Sequence, residues 1–207
     1  MTLASDHTHF YLVRHGESFA NVKGYVGGST DDELTDRGHE QAIKVARHLK
    51  ETAKAATALY ASPLKRAWET AGHIGEAVGM NPEAIDTLVE WHAGDWEKLE
   101  YSEIPEQEGF TPEAIFDPTW APPNGEALGD VQTRVVATLR ELNTRHAGEH
   151  IIVVSHGSAL ALSLAELIDN NMCAWIQYKL ENCSVSELIL GPQPNLIAVN
   201  QTGHLLV

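Results

Sequence analysis

The chain has few cysteines, no long apolar run and few basic residues. Its only cysteines, Cys173 and Cys183, are too few for a disulfide framework, so we expect reduced thiols in a cytoplasmic protein. No stretch is long enough to cross a membrane, and the first nine residues lack the basic-then-apolar pattern of an export signal. With 14 basic against 29 acidic residues, the net charge of −15 disfavours binding to nucleic acid or to an anionic membrane.

Several signatures of other enzyme classes are also missing. The sequence contains no Gly-rich Walker loop, no dinucleotide fingerprint, no Gly-x-Ser-x-Gly elbow and no His-Glu-x-x-His pair. His7 and His9 could bind a metal in principle, but they lie in a polar terminal segment, and we expect neither a metal nor another cofactor. A chain this acidic must capture an anionic ligand through a local basic pocket, which directs attention to Arg14 and Arg66.

Apolar periodicity predicts helices that alternate with short buried strands. The strands are expected at 10–14, 58–61, 151–155, 184–190 and 196–199, and the helices after Thr35, after Ser62, over 128–142 and after Gly157. This alternation favours an α/β fold, a three-layer α/β/α sandwich around a mostly parallel sheet. At 207 residues, the chain is expected to form a single domain over 1–207.

The stretch 97–126 differs from the rest of the chain. It holds five of the nine prolines and shows little periodicity. We therefore expect a partly helical excursion that crosses the carboxyl edge of the sheet as a lid or substrate wall.

Two apolar segments, 12–18 and 151–157, each break off at a histidine followed by glycine. If both are strands of one parallel sheet, His15 and His156 meet at its carboxyl edge, where open α/β sheets bind ligands. With Arg14 and Arg66 nearby, the site would suit a tetrahedral dianion and leave one imidazole free as a nucleophile.

Arg66 gives a separate indication. If Ser62 is the N-cap of the following helix, Arg66 lies in the first turn, where the helix dipole disfavours a cation by a few tenths to about 1 kcal/mol. A phosphate bound at that helix start would remove the conflict.

Five blocks of sequence, in order, resemble the signature of the histidine phosphatase superfamily, the phosphoglycerate-mutase-like proteins. The resemblance runs from about Phe10 to about Leu190. The blocks are Arg14-His15-Gly16-Glu17-Ser18 with Asn21; Leu34-Thr35 with Gly38 and Gln41-Ala42; Ser62-Pro63-Leu64 with Arg66-Ala67 and Thr70-Ala71; Leu88, Glu90, Gly94 and Trp96-Glu97; and Gly125-Glu126 with Ser155-His156-Gly157.

The resemblance implies a role for each matching residue. His15 would be the nucleophile that forms a phosphohistidine, and Glu90 would protonate the leaving group. The phosphoryl group would be held by Arg14, Asn21, Arg66, His156 and Gly157. His92 also matches a family position, where it would contact the substrate, support the site or simply pack.

Three functional classes remain open: a phosphatase acting on a small phosphorylated metabolite, a cofactor-dependent phosphoglycerate mutase, and a non-catalytic phosphate-binding or interaction protein on the same fold. The mutases carry paired arginines in a longer insertion at this point. Here Lys98 is the only basic residue in 97–126, against Glu100, Glu103, Glu106, Glu108, Glu113 and Asp117. This favours the phosphatase.

The motif around Glu90 is closest to that of the broad-specificity phosphatases, with two departures: Lys98 stands where those proteins often have glycine, and Ala93 replaces a larger apolar residue. The acidic lid favours a monoester with an apolar or neutral body, packing on Trp91, Trp96 or Phe116. The expected partner is thus a phosphorylated small molecule, and a possible homodimer is left open.

Overall fold

A computed structural model describes residues 6–107 and 110–206. The single domain predicted over 1–207 and the excursion predicted over 97–126 therefore extend beyond the described residues, and the acidic lid residue Glu108 lies outside them. The core is a six-stranded sheet with the order β3-β2-β4-β1-β5-β6. The strands are β1 Thr8–Arg14, β2 Ala56–Ala61, β3 Glu83–Ala84, β4 His150–Ser155, β5 Val185–Leu190 and β6 Asn195–Gln201.

The sheet is mostly parallel, as predicted. β1 pairs parallel with β4, which pairs parallel with β2, and β2 pairs parallel with β3. β5 runs antiparallel to β1, and β6 runs antiparallel to β5 along the edge of the sheet. The two-residue strand β3 is not predicted by the sequence, because a segment this short leaves no periodicity to detect.

Helices cover both faces of the sheet, which confirms the three-layer sandwich. Along β1, Phe10 and Leu12 belong to one apolar cluster, whereas Tyr11 and Val13 belong to another. Because alternate strand residues point to opposite faces, the two clusters fill opposite sides. The helices are α1 Phe19–Lys23, α2 Asp36–Thr52, α3 Lys65–Val78, α4 Leu128–Arg145 and α5 Gly157–Leu164, the last continuing as a π-helical turn over Ala165–Asp169.

The helices in each outer layer pack on the sheet through an apolar stripe along one face of the helix. α2 and α3 contribute Val45, Leu49 and Ile74 to the cluster on the Tyr11 side. α4 and α5 contribute Leu139 and Leu160 to the other. Thr35 caps α2 as expected, since its side chain accepts a hydrogen bond from the Gly38 N–H.

The predicted cap of α3 is wrong. Ser62 does not cap the helix, which begins at Lys65 with Leu64 as its N-cap. The Ser62 hydroxyl instead lies 2.7 Å from His156 Nε2. The Ser62 oxygen also accepts from the Leu64 backbone N–H at 3.3 Å, so its local contact is to the N-cap residue and not to the N–H groups inside the helix. Arg66 still falls in the first turn of α3, as expected.

The excursion is partly helical, with short 3₁₀ turns at Ile104–Glu106 and Ala114–Phe116. An isolated bridge between Tyr25 and Glu100 ties it to the loop after α1. Beneath it lies a small apolar cluster of its own, which includes Val26, Ala93, Trp96, Phe110 and Trp120. Within the described residues, no helix has both the length and the apolar character needed to cross a bilayer.

Lys98 occupies a backbone conformation that disfavours its side chain. Its φ is +71°, in the left-handed region, and its backbone N–H donates to the Val26 carbonyl at 2.9 Å. L residues other than Asn and Asp adopt this region at a cost of about 1–2 kcal/mol, whereas glycine does so freely. Glycine, which the resemblance implies at this position, would adopt this conformation without that cost.

We expect Lys98→Gly to raise the free energy of unfolding by about 1 kcal/mol, because relief of strain exceeds the extra freedom that glycine gives the unfolded chain. Urea denaturation of both proteins measures the change. Lys98→Ala is the matched control: it removes the charge but keeps a Cβ, so it should not stabilise the protein. Equal stabilisation by both substitutions would assign the effect to charge.

Candidate active site

Strand register brings the two histidines together. In the β1–β4 pair, Arg14 lies opposite Ser155, so His15 and His156 leave the sheet side by side. The backbone N–H of His15 donates to the Ser155 carbonyl at 3.0 Å. The two imidazole centroids are 5.1 Å apart, and both side chains are buried. The meeting of two strand-end histidines at the carboxyl edge is therefore confirmed.

Hydrogen bonding fixes the tautomer of His15. Its Nδ1 lies 2.7 Å from the Gly16 carbonyl oxygen, which can only accept, so Nδ1 carries the proton. Arg66 Nε donates to His15 Nε2 at 3.3 Å. Burial, and then the charges of Arg66 and Arg14, lower the pKa of His15 well below its usual 6.5. The neutral imidazole therefore presents a lone pair on Nε2.

Arg66 is rigidly held. It is 3% exposed, and its two terminal nitrogens donate to the Thr30 and Gly28 carbonyls at 2.6 and 2.7 Å. These two carbonyls offset part of the conflict between the guanidinium and the α3 dipole. Arg66 Nε faces His15 Nε2, so the guanidinium could bind an anionic group next to that imidazole.

Arg14 approaches from β1. Its Nη1 donates to the Leu180 carbonyl at 2.5 Å, whereas its buried Nε has no hydrogen-bond partner among the described residues. Burial lowers the pKa of both guanidinium groups, and the charge of Arg14 lowers that of Arg66 further. Two desolvated cations that disfavour each other's charge would both be stabilised by an anion between them.

His156 is fully buried at the start of α5. Its Nε2 lies 2.7 Å from Ser62 Oγ, and its Nδ1 has no partner within the described chain. Burial, followed by Arg66, lowers its pKa well below 6.5. A neutral His156 that accepts from the Ser62 hydroxyl would keep a proton on Nδ1 as a donor. Donation to a phosphate oxygen would then not require a protonated ring.

Glu90 bridges the loop after β3 and the start of α5. One carboxylate oxygen accepts from the Trp91 and Ala159 backbone N–H groups, both at 3.0 Å, and the other accepts from the Ser158 N–H at 3.0 Å. Three backbone donors fix the carboxylate beside the histidine pair, because α5 begins immediately after His156.

Asn21 lies in α1, and its Oδ1 accepts from the Ser18 backbone and hydroxyl at 3.0 and 3.1 Å. Asn182, which sequence reasoning missed, donates to Asn21 Oδ1 and to the His15 carbonyl, both at 3.1 Å. The oxygen of Asn21 is thereby occupied within the protein, which leaves its amide nitrogen as the group that could meet a ligand.

Glycines allow close approach around the nucleophile. A Cβ on Gly16 would lie 2.6 Å from the Gly38 carbonyl oxygen, and one on Gly38 would lie 2.1 Å from the Glu17 oxygen. The loop after β1 is therefore docked on the first turn of α2. At Gly157, a Cβ would lie 3.5 Å from the unpartnered Arg14 Nε.

An apolar cavity of about 260 Å³ opens beside Glu90. Glu90, Ser158 and Gly28 belong to its wall, so it adjoins the residues that hold the carboxylate and Arg66. The rest of the lining is mostly aromatic or aliphatic: Val26, Trp91, Trp96, Tyr101, Ile104, Phe110, Ile115, Trp120, Leu128 and Trp175. Trp91 and Trp96 thus line the expected wall, but Phe116 does not. The excursion thus contributes residues to the cavity wall, and its role as a lid over a substrate stays a prediction.

Sequence reasoning also missed the support beneath Glu90. Arg134 on α4 pairs through two nitrogens with Glu126, at 2.8 and 3.0 Å, and donates to the Thr87, Val89 and Glu90 carbonyls at 2.7–3.0 Å. Glu126 lies in a recognised motif block, but the arginine on a helix face carries no local signal that could have revealed it.

The arrangement offers a neutral imidazole with a lone pair on Nε2, two guanidinium groups, a second imidazole and a carboxyl group in one region. These are the groups that nucleophilic displacement at phosphorus requires. Among residues 6–107 and 110–206, no group of three or more His, Cys, Asp or Glu side chains is placed to hold a metal ion.

Comparisons with known proteins agree with the motifs. The family model of the histidine phosphatase superfamily, branch 1, matches residues 10–201. Phosphoglycerate mutase-like protein 4 of Arabidopsis thaliana is 35% identical over 162 residues, 75% of this chain and 69% of that protein. The metal-independent phosphoserine phosphatase of the same plant is 31% identical over 198 residues, 93% of this chain and 81% of that protein.

A solved structure shows the same similarity. Phosphoserine phosphatase from Entamoeba histolytica, in complex with 3-phosphoglyceric acid, gives a TM-score of 0.86 at 28% identity and covers 96% of this chain and 99% of its own. The expected resemblance is thereby confirmed: the chain belongs to branch 1 of the histidine phosphatase superfamily.

Proposed function

We propose that the protein is a phosphomonoester hydrolase that acts on a small phosphorylated metabolite through a phosphohistidine at His15. One observation carries the proposal. The Gly16 carbonyl holds the proton of His15 on Nδ1, so the Nε2 lone pair is directed at the Arg66 guanidinium, and the charge of Arg14 also acts on the ring. A neutral nucleophile within a cationic pocket suits attack on a phosphate dianion.

The reaction runs in two displacements. In the first, Nε2 of His15 attacks phosphorus, the bond from phosphorus to the ester oxygen breaks, and the Glu90 carboxyl gives its proton to the departing alkoxide. In the second, water attacks phosphorus, the N–P bond breaks and its electron pair returns to Nε2. The proton lost by water passes to the Glu90 carboxylate, which restores the acid for the next turnover.

The remaining site residues bind the transferred group. Arg14 and Arg66 neutralise its oxygens, and His156 donates from Nδ1. Asn21 donates from its amide nitrogen, and Gly157 from its backbone N–H at the start of α5. The unpartnered Arg14 Nε and His156 Nδ1 support these roles, since both are buried donors available to a ligand. No step needs a metal ion.

The main alternative is phosphoglycerate mutase activity, because some of the similar proteins are named as phosphoglycerate mutases or mutase-like proteins. A mutase must hold the substrate carboxylate and retain a bisphosphate while the substrate turns over. Arginine and lysine are missing from the described lining of the cavity beside Glu90, so a carboxylate would find no cation there. This favours transfer of the phosphoryl group to water.

We expect His15→Ala to abolish turnover, and acid-quenched wild type to carry label at His15 after mixing with a ³²P-labelled monoester. Chelators should leave the rate unchanged, because no step uses a metal, and vanadate should inhibit. Mass spectrometry of the trapped protein locates the label. Label on a serine, or full activity in His15→Ala, would contradict the assignment.

Incubation with 3-phosphoglycerate and catalytic 2,3-bisphosphoglycerate should give slow phosphate release and little 2-phosphoglycerate. The expectation follows from the missing cationic clamp. Phosphorus NMR measures both products in one sample, and a cofactor-dependent mutase serves as the positive control. Isomerisation that outpaces hydrolysis would replace the phosphatase proposal with the mutase alternative.

A further inference from the structure

The cavity beside Glu90 has a wall suited to flat apolar groups. Trp96 packs against Phe110 and Trp120 at centroid distances of 5.6 and 5.1 Å. Trp91 meets Trp96 edge to face, and its indole N–H is already satisfied by the Glu126 carbonyl at 2.6 Å. The rings thus form one connected surface. Burying an aromatic body on such a surface is favourable through both area and ring geometry.

The charges at the cavity disfavour substrates whose alcohol portion carries a carboxylate. Glu90 is the only carboxylic acid among the described lining residues, and lysine, arginine and histidine are missing from that lining. A substrate carboxylate placed here would lose its hydration, meet no cation among the described lining residues and approach the Glu90 carboxyl group. A neutral apolar body meets none of these penalties.

We propose that this cavity binds the alcohol portion of the substrate, and that the preferred substrates are phosphomonoesters with an uncharged aromatic or apolar body. This rests on the proposed function, since the same site must break the ester bond. The volume lies just below the ~300–1,000 Å³ typical of ligand sites, which suits a body of one or two rings.

The test compares 2-phenylethyl phosphate, ethyl phosphate and phosphoserine, all esters of poorly departing alkoxides. For wild type, kcat/KM should be highest for 2-phenylethyl phosphate by about tenfold or more, from burial of one ring. Phe110→Ala should remove most of that preference and leave ethyl phosphate within twofold. Phe116→Ala, in the same excursion but outside the cavity, is the matched control and should change neither rate.

A second variant keeps the test decisive if Phe110→Ala does not fold. Ile115→Lys adds a cation to the wall and should lower the preference for 2-phenylethyl phosphate while raising activity on phosphoserine. Phosphoserine as the best wild-type substrate, or equal losses on all three esters in Phe110→Ala, would overturn the cavity assignment. Failure of wild type to hydrolyse any ester would instead contradict the proposed function.

An independent observation concerns the support of Glu90. Arg134 has five N–H donors, and five hydrogen bonds to Glu126 and the 87–90 backbone use all of them. Glu126 accepts this pair while its backbone N–H donates to the His92 carbonyl at 2.8 Å. Residues on both sides of Glu90 are thus fixed to α4 and to the end of the excursion. Both charged side chains are about four-fifths buried.

We infer that Arg134 is a positioning residue that aims Glu90 at the leaving oxygen. It touches the Glu90 carbonyl at 3.0 Å and nothing that would react. Lysine cannot replace it, because an ammonium group has three donors without the planar fork. If the general acid is misplaced, the phosphorylation rate falls most for esters whose leaving group needs a proton. Esters of poorly departing alkoxides should therefore be slowed more than esters of stable phenoxides.

Single-turnover phosphorylation of His15 tests this with ethyl phosphate and 4-nitrophenyl phosphate. Arg134→Lys should slow the first by more than tenfold and the second by less than threefold. Arg145→Met is the matched control: Arg145 pairs with Glu141 on the same helix, does not contact the 87–92 segment, and should leave both rates unchanged.

Glu126→Gln is a milder perturbation, since it keeps the shape of the side chain but removes the ion pair with Arg134. It should also slow phosphorylation by ethyl phosphate more than phosphorylation by 4-nitrophenyl phosphate. Equal slowing of both esters in the two variants would assign Arg134 to folding alone. An unchanged ratio in a protein that binds vanadate normally would also reject the positioning role. If wild type forms no phosphohistidine with either ester, the proposed function itself fails.

Discussion

The parallel pairing of β4 between β1 and β2 is the constraint on which the site depends. β4 contacts both neighbours, so the segments after all three strands converge at one edge: His15 after β1, Ser62 after β2 and His156 after β4. A slip of one residue in the register would turn each buried strand residue to the opposite face and separate the imidazoles. Apolar side chains on both faces therefore hold the catalytic geometry as well as the fold.

Much of the architecture could be predicted from sequence because the strands are buried on both sides and the helices on one. Continuous apolar runs locate β1 and β4, and a 3.6-residue stripe locates α2 and α4. The errors arise where local rules compete with distant contacts. Ser62 followed by proline is a good helix start by composition, yet its hydroxyl binds an imidazole 94 positions later in the chain.

The residues of the site also fall into those that the sequence could place and those that it could not. His15 and His156 could be placed because each directly follows a strand, and the pairing of β1 with β4 determines where those strands end. Arg134, Asn182 and Phe110 could not, since each contacts residues that only folding brings to it. A net charge of −15 also gives no sign of the buried Arg66 and the partly buried Arg14, because composition averages over the whole chain.

The close contact between Gly16 and Gly38 means that the loop after β1 and the start of α2 can change only together. Neither position admits a methyl group without moving backbone, since the nearest obstacles are carbonyl oxygens of the main chain. An evolving lineage can alter the lid or the cavity wall one residue at a time and so change what it accepts. It cannot replace Gly16 or Gly38 in the same way. A single substitution at either glycine would move the backbone next to His15 before a second substitution could compensate.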